Sequence, residues 1–377
     1  MDVLAAVATA PGTDFTIERL RLDAPRPDEV LVRIMAVGIC HTDIAAREGH
    51  MPIALPAVLG HEGAGVVVAV GDAVTKVVPG DHVVLTFRSC GTCARCASHD
   101  PAYCENGFPL NYIGTRADGS NTLHRGDTPI GASFFSQSSF ADHVLAYERN
   151  IVPVVDREMD FALLAPLGCG IQTGAGAVLR SLKCRAGSSL LVTGGGSVGL
   201  SAVMAAVVAG CTTIIVSDPV ASRREMALEL GATHVIDPGT GVLESAVREI
   251  VPAGCDYAID TTAHPAVLDA ALRSLGALGT LGMIGVPARP DTPSPGSAIE
   301  YLMRGLTVRG ILEGDSDPDI FIPELIGYVR DGRFPLAKLV RTYPFTDINQ
   351  AIGDQHDGHC VKPVLLMPGG ETDGPGV

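Results

Sequence analysis

The sequence predicts an α/β protein of two domains, one mainly β and one built on a doubly wound parallel sheet. Three observations lead there. The chain has 377 residues, about two and a half times the ~150 of an ordinary domain. Its first 150 residues carry strand-like runs broken by Gly and Pro, with little helical periodicity. From Ser188 onward strand and helix patterns alternate, the order that builds a parallel sheet.

In the N-terminal region the strand runs are 29–37, 65–70 and 82–87. The alternating region starts with strand 189–193, helix 197–209, strand 213–217 and helix 221–230, which Gly231 closes. Strand 256–260, helix 265–275 and strand 280–286 complete a Rossmann-like pattern. A proline-rich loop, 287–295, precedes a strand at 306–311, a helix over 319–331 and a closing strand at 362–367. There are no internal repeats.

Residues 186–217 carry no formal charge for 32 positions, longer than the ~20 that cross a bilayer. The run contains Thr193-Gly194-Gly195-Gly196-Ser197 and Gly210-Cys211-Thr212-Thr213, so it predicts a buried strand–turn–helix–turn–strand unit. The start, Met1-Asp2-Val3-Leu4, has neither a basic segment nor an apolar run, so no secretory signal is read and a cytoplasmic location is the default expectation.

Composition narrows the function. Lys and Arg number 27 against 42 Asp and Glu, a net charge of −15 that repels phosphate backbones and anionic lipid. Nucleic acid and membranes are therefore not expected as partners. With 46% hydrophobic and 18% charged residues the chain is a folded one. Its ten Cys are expected to be reduced thiols, and four of them fall between 90 and 104.

Those four, Cys90, Cys93, Cys96 and Cys104, have the spacing of a closed tetrathiolate site. Structural zinc fits a compact loop with no open position; an iron–sulfur cluster and unligated thiols are the alternatives. A second set is dispersed: Cys40 in Gly38-Ile-Cys-His-Thr-Asp43, His61 and Glu62 in Gly60-His-Glu-Gly-Ala-Gly65, and Cys169 in Leu167-Gly-Cys-Gly170. Two thiolates and one imidazole are a recognised catalytic zinc set, although a lone buried Cys or His is more often packing.

The third motif is Gly194-Gly195-Gly196-Ser197-Val198-Gly199, a GxGxxG match that chance alone yields about 0.6 times in such a chain. Its context carries it. A strand precedes it, a helix follows, and Asp218 lies at the end of the next strand, where an acid binds an adenosine ribose. Gly194, Gly196, Ser197, Val198 and Gly199 are thus candidate pyrophosphate contacts at a helix N-terminus. Asp218 would repel a 2′-phosphate and favours NAD over NADP, with Arg223 and Arg224 nearby; otherwise Asp218 is a helix cap.

Together these motifs, in this order, resemble the zinc-dependent alcohol dehydrogenases of the medium-chain dehydrogenase/reductase superfamily over nearly the whole chain. Phe134-Phe-Ser-Gln-Ser-Ser-Phe140 and Pro166-Leu-Gly-Cys-Gly-Ile-Gln-Thr-Gly-Ala-Gly176 look most like the aryl or benzyl alcohol branch. The resemblance implies a GroES-like catalytic domain at 1–170 and 312–377, with its zinc lobe, and an NAD-binding Rossmann domain at 171–311. It implies two zinc ions per chain, NAD, an alcohol or aldehyde substrate, and a homodimer or homotetramer.

By the same resemblance Cys40, His61 and Cys169 are the catalytic zinc ligands, and Glu62 is an occasional fourth. Zinc there lowers the pKa of a bound alcohol so that the alkoxide can deliver hydride to the nicotinamide. Thr42 would accept the alcohol proton, His41 would reach the pyrophosphate, and Asp43 would orient His61. In bland terms Thr42 is a turn residue and Asp43 a helix cap. Arg223 and Val286 complete the cofactor contacts. One departure stands out: Ala45 occupies the place where many members carry the last histidine of the proton relay, so the final step to solvent is unassigned; His50 is a candidate by proximity in sequence alone, and a surface or loop role is expected for it. The rival readings are a thiol-dependent formaldehyde dehydrogenase, for which Arg88, Arg116 and Arg125 lie in the right region, and a non-catalytic zinc-binding module.

Overall fold

Apolar and β-branched runs separated by Gly and Pro produce two sheets in the N-terminal part of the chain. The structure is a computed structural model that describes all residues except 288, 290 and 369–377. It divides into two units. One holds Met1–Cys169, Asp317–Ile326 and the described residues from Ala337 on; the other holds Gly170–Ser316 and Gly327–Leu336. Positions 288 and 290 of the proline-rich 287–295 loop lie outside the described residues.

In the first unit, an antiparallel five-stranded sheet runs Ala57–Val58, Asp2–Ala8, Thr16–Leu22, Leu123–Arg125, Thr128–Ile130. The second sheet is organised around the strand Glu29–Gly38, which pairs antiparallel with Glu62–Val70, His143–Tyr147 and Lys362–Leu366. Its sequence, EVLVRIMAVG, leaves only Arg33 exposed, as a strand covered on both edges and both faces requires. The strand from the far end of the chain, Lys362–Leu366, therefore lies beside one of the first to be made. Gly38 faces Glu62 on one neighbour and Val364 on the other.

The second unit is a six-stranded sheet in the order His234–Ile236, Thr213–Ser217, Ser189–Thr193, Cys255–Asp260, Leu275–Met283, Thr307–Gly310. Every neighbouring pair is parallel. This is the doubly wound order 3-2-1-4-5-6, with a switch point beside its first strand. The uncharged run is explained here: Ser189–Thr193 is wholly buried, and the helix Ser197–Ala209 is buried from Gly199 to Ala206. Gly174 lets the helix Gly170–Gly176 approach it closely, since a Cβ there would lie 1.9 Å from the Val198 carbonyl. Gly210, at φ +82°, ends the helix in the left-handed conformation. Among the described residues no single helix is long and apolar enough to cross a membrane.

The strand expected at 280–286 starts earlier, at Leu275, and stops at Met283. Val286 is left beyond its end and 85% exposed. The chain turns at Gly285, where a Cβ would meet the Ala263 amide nitrogen at 2.5 Å.

Candidate active site

Three segments of the first unit converge. Cys40 follows the central strand and caps the helix His41–Arg47 from an extended conformation, φ −115°. Glu62 opens the neighbouring strand and His61 immediately precedes it, and the Gly38–Glu62 register carries them to Cys40. Cys169 ends a 3-10 turn, Ala165–Gly168, which lies directly on the strand His82–Leu85: Thr86 Oγ1 donates to Gly168 O at 2.7 Å. A Cβ at Gly168 would strike Leu85 O at 2.1 Å, so only glycine permits that approach. The ligand atoms of Cys40, His61, Glu62 and Cys169 all lie within 4.8 Å of one another.

Asp43 organises this group and is itself fully buried. Its Oδ1 bonds His61 Nδ1 at 2.8 Å and accepts the Gly60 amide at 3.0 Å, while Oδ2 accepts the Cys40 amide at 3.0 Å. With Nδ1 held, Nε2 is the free ring nitrogen; it is buried and has no hydrogen-bond partner among the described residues. A buried orphan nitrogen facing two thiols and a carboxylate fits a divalent, thiophilic metal such as zinc. Burial disfavours protonation of His61, but the charges of Asp43 and Cys40 outweigh it and hold its pKa well above the ordinary value. The Cys40 thiol is held well below its own, by a hydrogen bond with Cys169 against the cost of burial, aided by His61 and Lys362. Such a group favours thiolate before any metal arrives.

Phe135 stacks on the His61 ring, centroids 4.3 Å apart and planes at 21°, and Phe134 meets it edge-on at 5.7 Å. Gln137 Nε2 donates to the carbonyls of His61 and Thr86 at 3.0 Å each. The segment is strained: Ser133, Phe135, Ser136 and Ser138 have φ of +61°, +50°, +54° and +51°. Sequence reading used Phe134 to Phe140 only as a likeness and missed its role as the wall behind His61.

Lys362 was also missed. Its side chain has zero exposure, pairs with the equally buried Glu62, and donates to Ile39 O at 3.0 Å. The pair spans the central strand over Gly38, where a Cβ would lie 2.1 Å from Glu62 Oε2 and 3.2 Å from Lys362 Cε. Burial disfavours the ammonium, yet Glu62 and Cys40 raise the Lys362 pKa above its ordinary value, so the lysine stays charged. A single lysine in the apolar closing strand KPVLL was the signal available.

The four-Cys lobe closes as its spacing predicts. Cys90 Sγ is 3.9 Å from Cys96 Sγ, and Cys93 Sγ is 3.5 Å from Cys96 Sγ and 3.9 Å from Cys104 Sγ. A tetrahedron with zinc–sulfur bonds of about 2.3 Å has edges of about 3.8 Å, so the four sulfurs fit that ion. Amides of Thr92 and Cys93 donate to Cys90 Sγ at 3.5 and 3.3 Å. Hydrogen bonds from Thr92 bring the Cys90 thiol down to about 5, whereas burial pushes Cys104 up to about 12.

In the second unit Gly194 turns at φ +96° and Gly199 packs so tightly that a Cβ would sit 1.9 Å from Gly194 O. Gly196, before Ser197 and Val198 in the first turn of the helix, faces open space: nothing lies within 4 Å of a Cβ there. Asp218 is buried at the end of Thr213–Ser217, and its Oδ2 and Oδ1 accept the Gly195 and Val220 amides at 2.7 and 2.8 Å. The acid thus stands at the glycine turn, whereas the helix Ala221–Glu229 starts after Val220 with no side-chain cap, so the helix-cap alternative is not what the structure shows. Arg223 Nη1 lies 3.9 Å from Asp218 Oδ2, and Arg224 is engaged by Asp237 at 2.9 Å and by Asp218 O at 2.7 Å. An open glycine turn under a helix N-terminus, with an acid beside it, fits the pyrophosphate and ribose of a dinucleotide.

Comparison with known proteins agrees with this geometry. Residues 26–156 match the alcohol dehydrogenase GroES-like domain and 197–326 the zinc-binding dehydrogenase domain. A geraniol dehydrogenase of Castellaniella defragrans is 45% identical over 365 residues, 96% of this chain and 97% of the relative. The chain belongs to the zinc-binding alcohol dehydrogenases. The crystal structure of a zinc-binding-domain alcohol dehydrogenase from Burkholderia ambifaria matches this dehydrogenase with a TM-score of 0.95 at 51% identity, covering 98% of this chain and 99% of the other. That of benzyl alcohol dehydrogenase from Acinetobacter calcoaceticus gives 0.94 at 42%, covering 98% and 100%.

The remaining sites of this dehydrogenase are placed as follows. Thr42 Oγ1 is 3.8 Å from Cys40 Sγ. His41 and His50 are exposed and Ala45 is half-buried. Two of the three arginines considered for an anionic substrate are committed elsewhere: Arg116 is buried against Glu29 at 2.6 Å and Asp23 at 3.0 Å, and Arg125 pairs with Glu18 at 2.8 Å. Arg88 lies over the Tyr147 ring at 3.3 Å from its centroid.

Proposed function

We propose that this dehydrogenase oxidises primary alcohols bearing an aromatic or allylic group to aldehydes, and reduces the matching aldehydes, with NAD as the hydride carrier. The observation that carries the reading is the convergence of Cys40, His61, Glu62 and Cys169, drawn from three distant segments. The relatives named geraniol and benzyl alcohol dehydrogenase support the alcohol class.

Cys40, His61 and Cys169 would hold a catalytic zinc, with Glu62 in reserve, and a metal there supplies Lewis acidity toward an alcohol or carbonyl oxygen. Asp43 fixes the His61 tautomer through Nδ1 and leaves Nε2 for the metal. The Thr42 hydroxyl, beside Cys40, takes the alcohol proton; with Ala45 three residues on in the helix, the proton leaves by a route other than a histidine there. Phe134 and Phe135 exclude water from the imidazole edge. Cys90, Cys93, Cys96 and Cys104 would hold a second, structural zinc.

On the cofactor, Gly194, Gly196, Ser197, Val198 and Gly199 would receive the pyrophosphate, with His41 and Val286 as further contacts. The negative Asp218, already neighbour to Arg223, supports NAD over NADP. Commitment of Arg116 and Arg125 to carboxylates weakens the anionic thiol-adduct reading. A homodimer or homotetramer is supported by the edge strand Thr307–Gly310 and by Ile299, Leu302 and Met303, exposed at 60%, 77% and 74%.

The test is direct. Zinc is counted per chain and NADH absorbance is followed with benzyl alcohol, geraniol, and formaldehyde plus thiols. Two zinc ions with turnover of the first two alcohols is the expected result, and Cys40→Ser should abolish turnover while the protein stays folded. Turnover confined to formaldehyde plus thiol, or full activity in Cys40→Ser, overturns the reading.

A further inference from the structure

Asp43 ties two of the proposed metal ligands together, taking the Cys40 amide on one carboxylate oxygen and the His61 ring on the other. Cys169 arrives on a separate segment, and a second set of buried side chains carries it to His61. The strands Glu62–Val70 and His82–Leu85 pair from Val66–His82 to Ala64–Val84. Past that rung Gln137 stands between the two segments: its Nε2 donates to His61 O and to Thr86 O, at 3.0 Å each. Its Oε1 accepts the Gly63 amide at 3.3 Å and the Ser139 hydroxyl. Two donors and two acceptors are all engaged, and the two carbonyls and the Gly63 amide fix which end of the side chain is nitrogen. Thr86 in turn donates its hydroxyl to Gly168 O at 2.7 Å, and its own amide goes to Asn150 O at 2.9 Å. Gln137, Ser139 and Thr86 are all buried.

We infer that Gln137 and Thr86 are positioning residues that set the separation of His61 from Cys169 and so tune the affinity of that pair for metal. The inference rests on the metal site proposed above. Each bond falls on a peptide next to a ligand. His61 O belongs to the peptide leaving His61, and Gly60 O, on the peptide entering it, accepts from Ser139 N at 2.8 Å. Gly168 O belongs to the peptide entering Cys169. A carbonyl held at its oxygen holds the plane of its peptide, so turning either ligand about its backbone breaks one of these bonds. Each broken bond leaves a buried carbonyl without a donor, which keeps the network together as a unit. Asp43 aims the imidazole; Gln137 and Thr86 place the two backbones.

The test uses the zinc-loaded enzyme, with zinc release to a chromogenic chelator as the readout. The parent should give up two ions in separate phases, and the phase missing from Cys40→Ser marks the ion at Cys40. Thr86→Val keeps the branched shape and removes the hydroxyl. It should bind the ion at Cys40 about 10–100-fold more weakly while holding the ion at Cys90–Cys104 as tightly as the parent. Thr86→Ser keeps the hydroxyl and should restore the parent's affinity, which a side chain valued only for its packing would not do. Gln137→Glu turns the donor that holds His61 O and Thr86 O into an oxygen, and should weaken the same ion alone; it decides the matter if Thr86→Val does not fold. Unchanged affinity in a folded variant, equal weakening of both ions, or no recovery in Thr86→Ser overturns the inference. In those cases Cys40→Ser still lacks one ion and the metal site stands; a Cys40→Ser protein that keeps both ions overturns the site and this inference with it.

Discussion

Lys362→Met keeps the length and apolar stem of the side chain and removes its charge. Both members of the Glu62–Lys362 pair have zero exposure, so the substitution leaves Glu62 in a dry site without its lysine, and Ile39 O without its donor. Removing one partner of a buried pair costs about 3–5 kcal/mol, whereas replacing both by apolar groups of similar size is often neutral. The single variant should therefore lose about 4 kcal/mol, Glu62→Met/Lys362→Met should recover most of it, and the cycle should give a coupling of at least ~2 kcal/mol. The loss should be smaller with zinc bound, because a lone Glu62 then has the metal's charge within reach. The chain contains no Trp, so urea unfolding is followed by far-ultraviolet circular dichroism rather than tryptophan emission. A single variant within ~1 kcal/mol of the parent, or a cycle additive within ~0.5 kcal/mol, would refute the argument that the pair is held by mutual need.

Four further outcomes are expected. Thr42→Val should lower kcat by roughly 10²–10⁴, while His50→Ala should leave it nearly unchanged; equal losses in steady-state assays would remove Thr42 from the proton path. Cys93→Ser should lose one zinc ion and melt at lower temperature, with the activity of the folded fraction retained, as metal analysis and thermal scans would show. Gly199→Ala should destabilise the second unit by about 1–3 kcal/mol and weaken NADH binding, read by nucleotide titration, because its Cβ meets Gly194 O at 1.9 Å. Burial pushes Glu29 up, but bonds from Arg116 and the Arg26 amide overcome it and hold the carboxyl below its ordinary 4.5. A depressed acid contributes stability above its unfolded pKa and loses it as pH falls through the folded one. Urea midpoints of the parent and Arg116→Met should thus converge from about pH 5 downward, and parallel profiles would contradict this.

Legibility of the sequence followed the range of the interactions. Closely spaced features were readable: the Cys90–Cys104 lobe is local, and the glycine turn with Asp218 spans one strand–helix–strand unit whose periodicity shows directly. The uncharged 186–217 run was correctly read as buried strand and helix because glycine interrupts it at both ends. What escaped depends on pairing across the chain. Nothing near Lys362 in sequence shows that its strand lies beside Gly38, and nothing in Phe135 shows a ring stacked on His61. The end of the strand at Met283 was misplaced because Ile284 and Val286 continue the apolar pattern; the turn at Gly285 ends it.

The Lys362–Ile39 bond joins residues 323 positions apart. On a ribosome adding ~5–20 residues per second, Cys40, His61 and Glu62 would wait roughly 15–65 s for the lysine that neutralises Glu62. Until then the nascent chain holds two thiols and a carboxylate destined for burial with no cation from the C-terminal strand to offset them. Metal acquisition during synthesis would have to proceed on an unfinished sheet, whereas the lobe at Cys90–Cys104 has all its ligands from one short stretch and can close early. The two proposed zinc sites of one polypeptide should accordingly load in a fixed order, Cys90–Cys104 first.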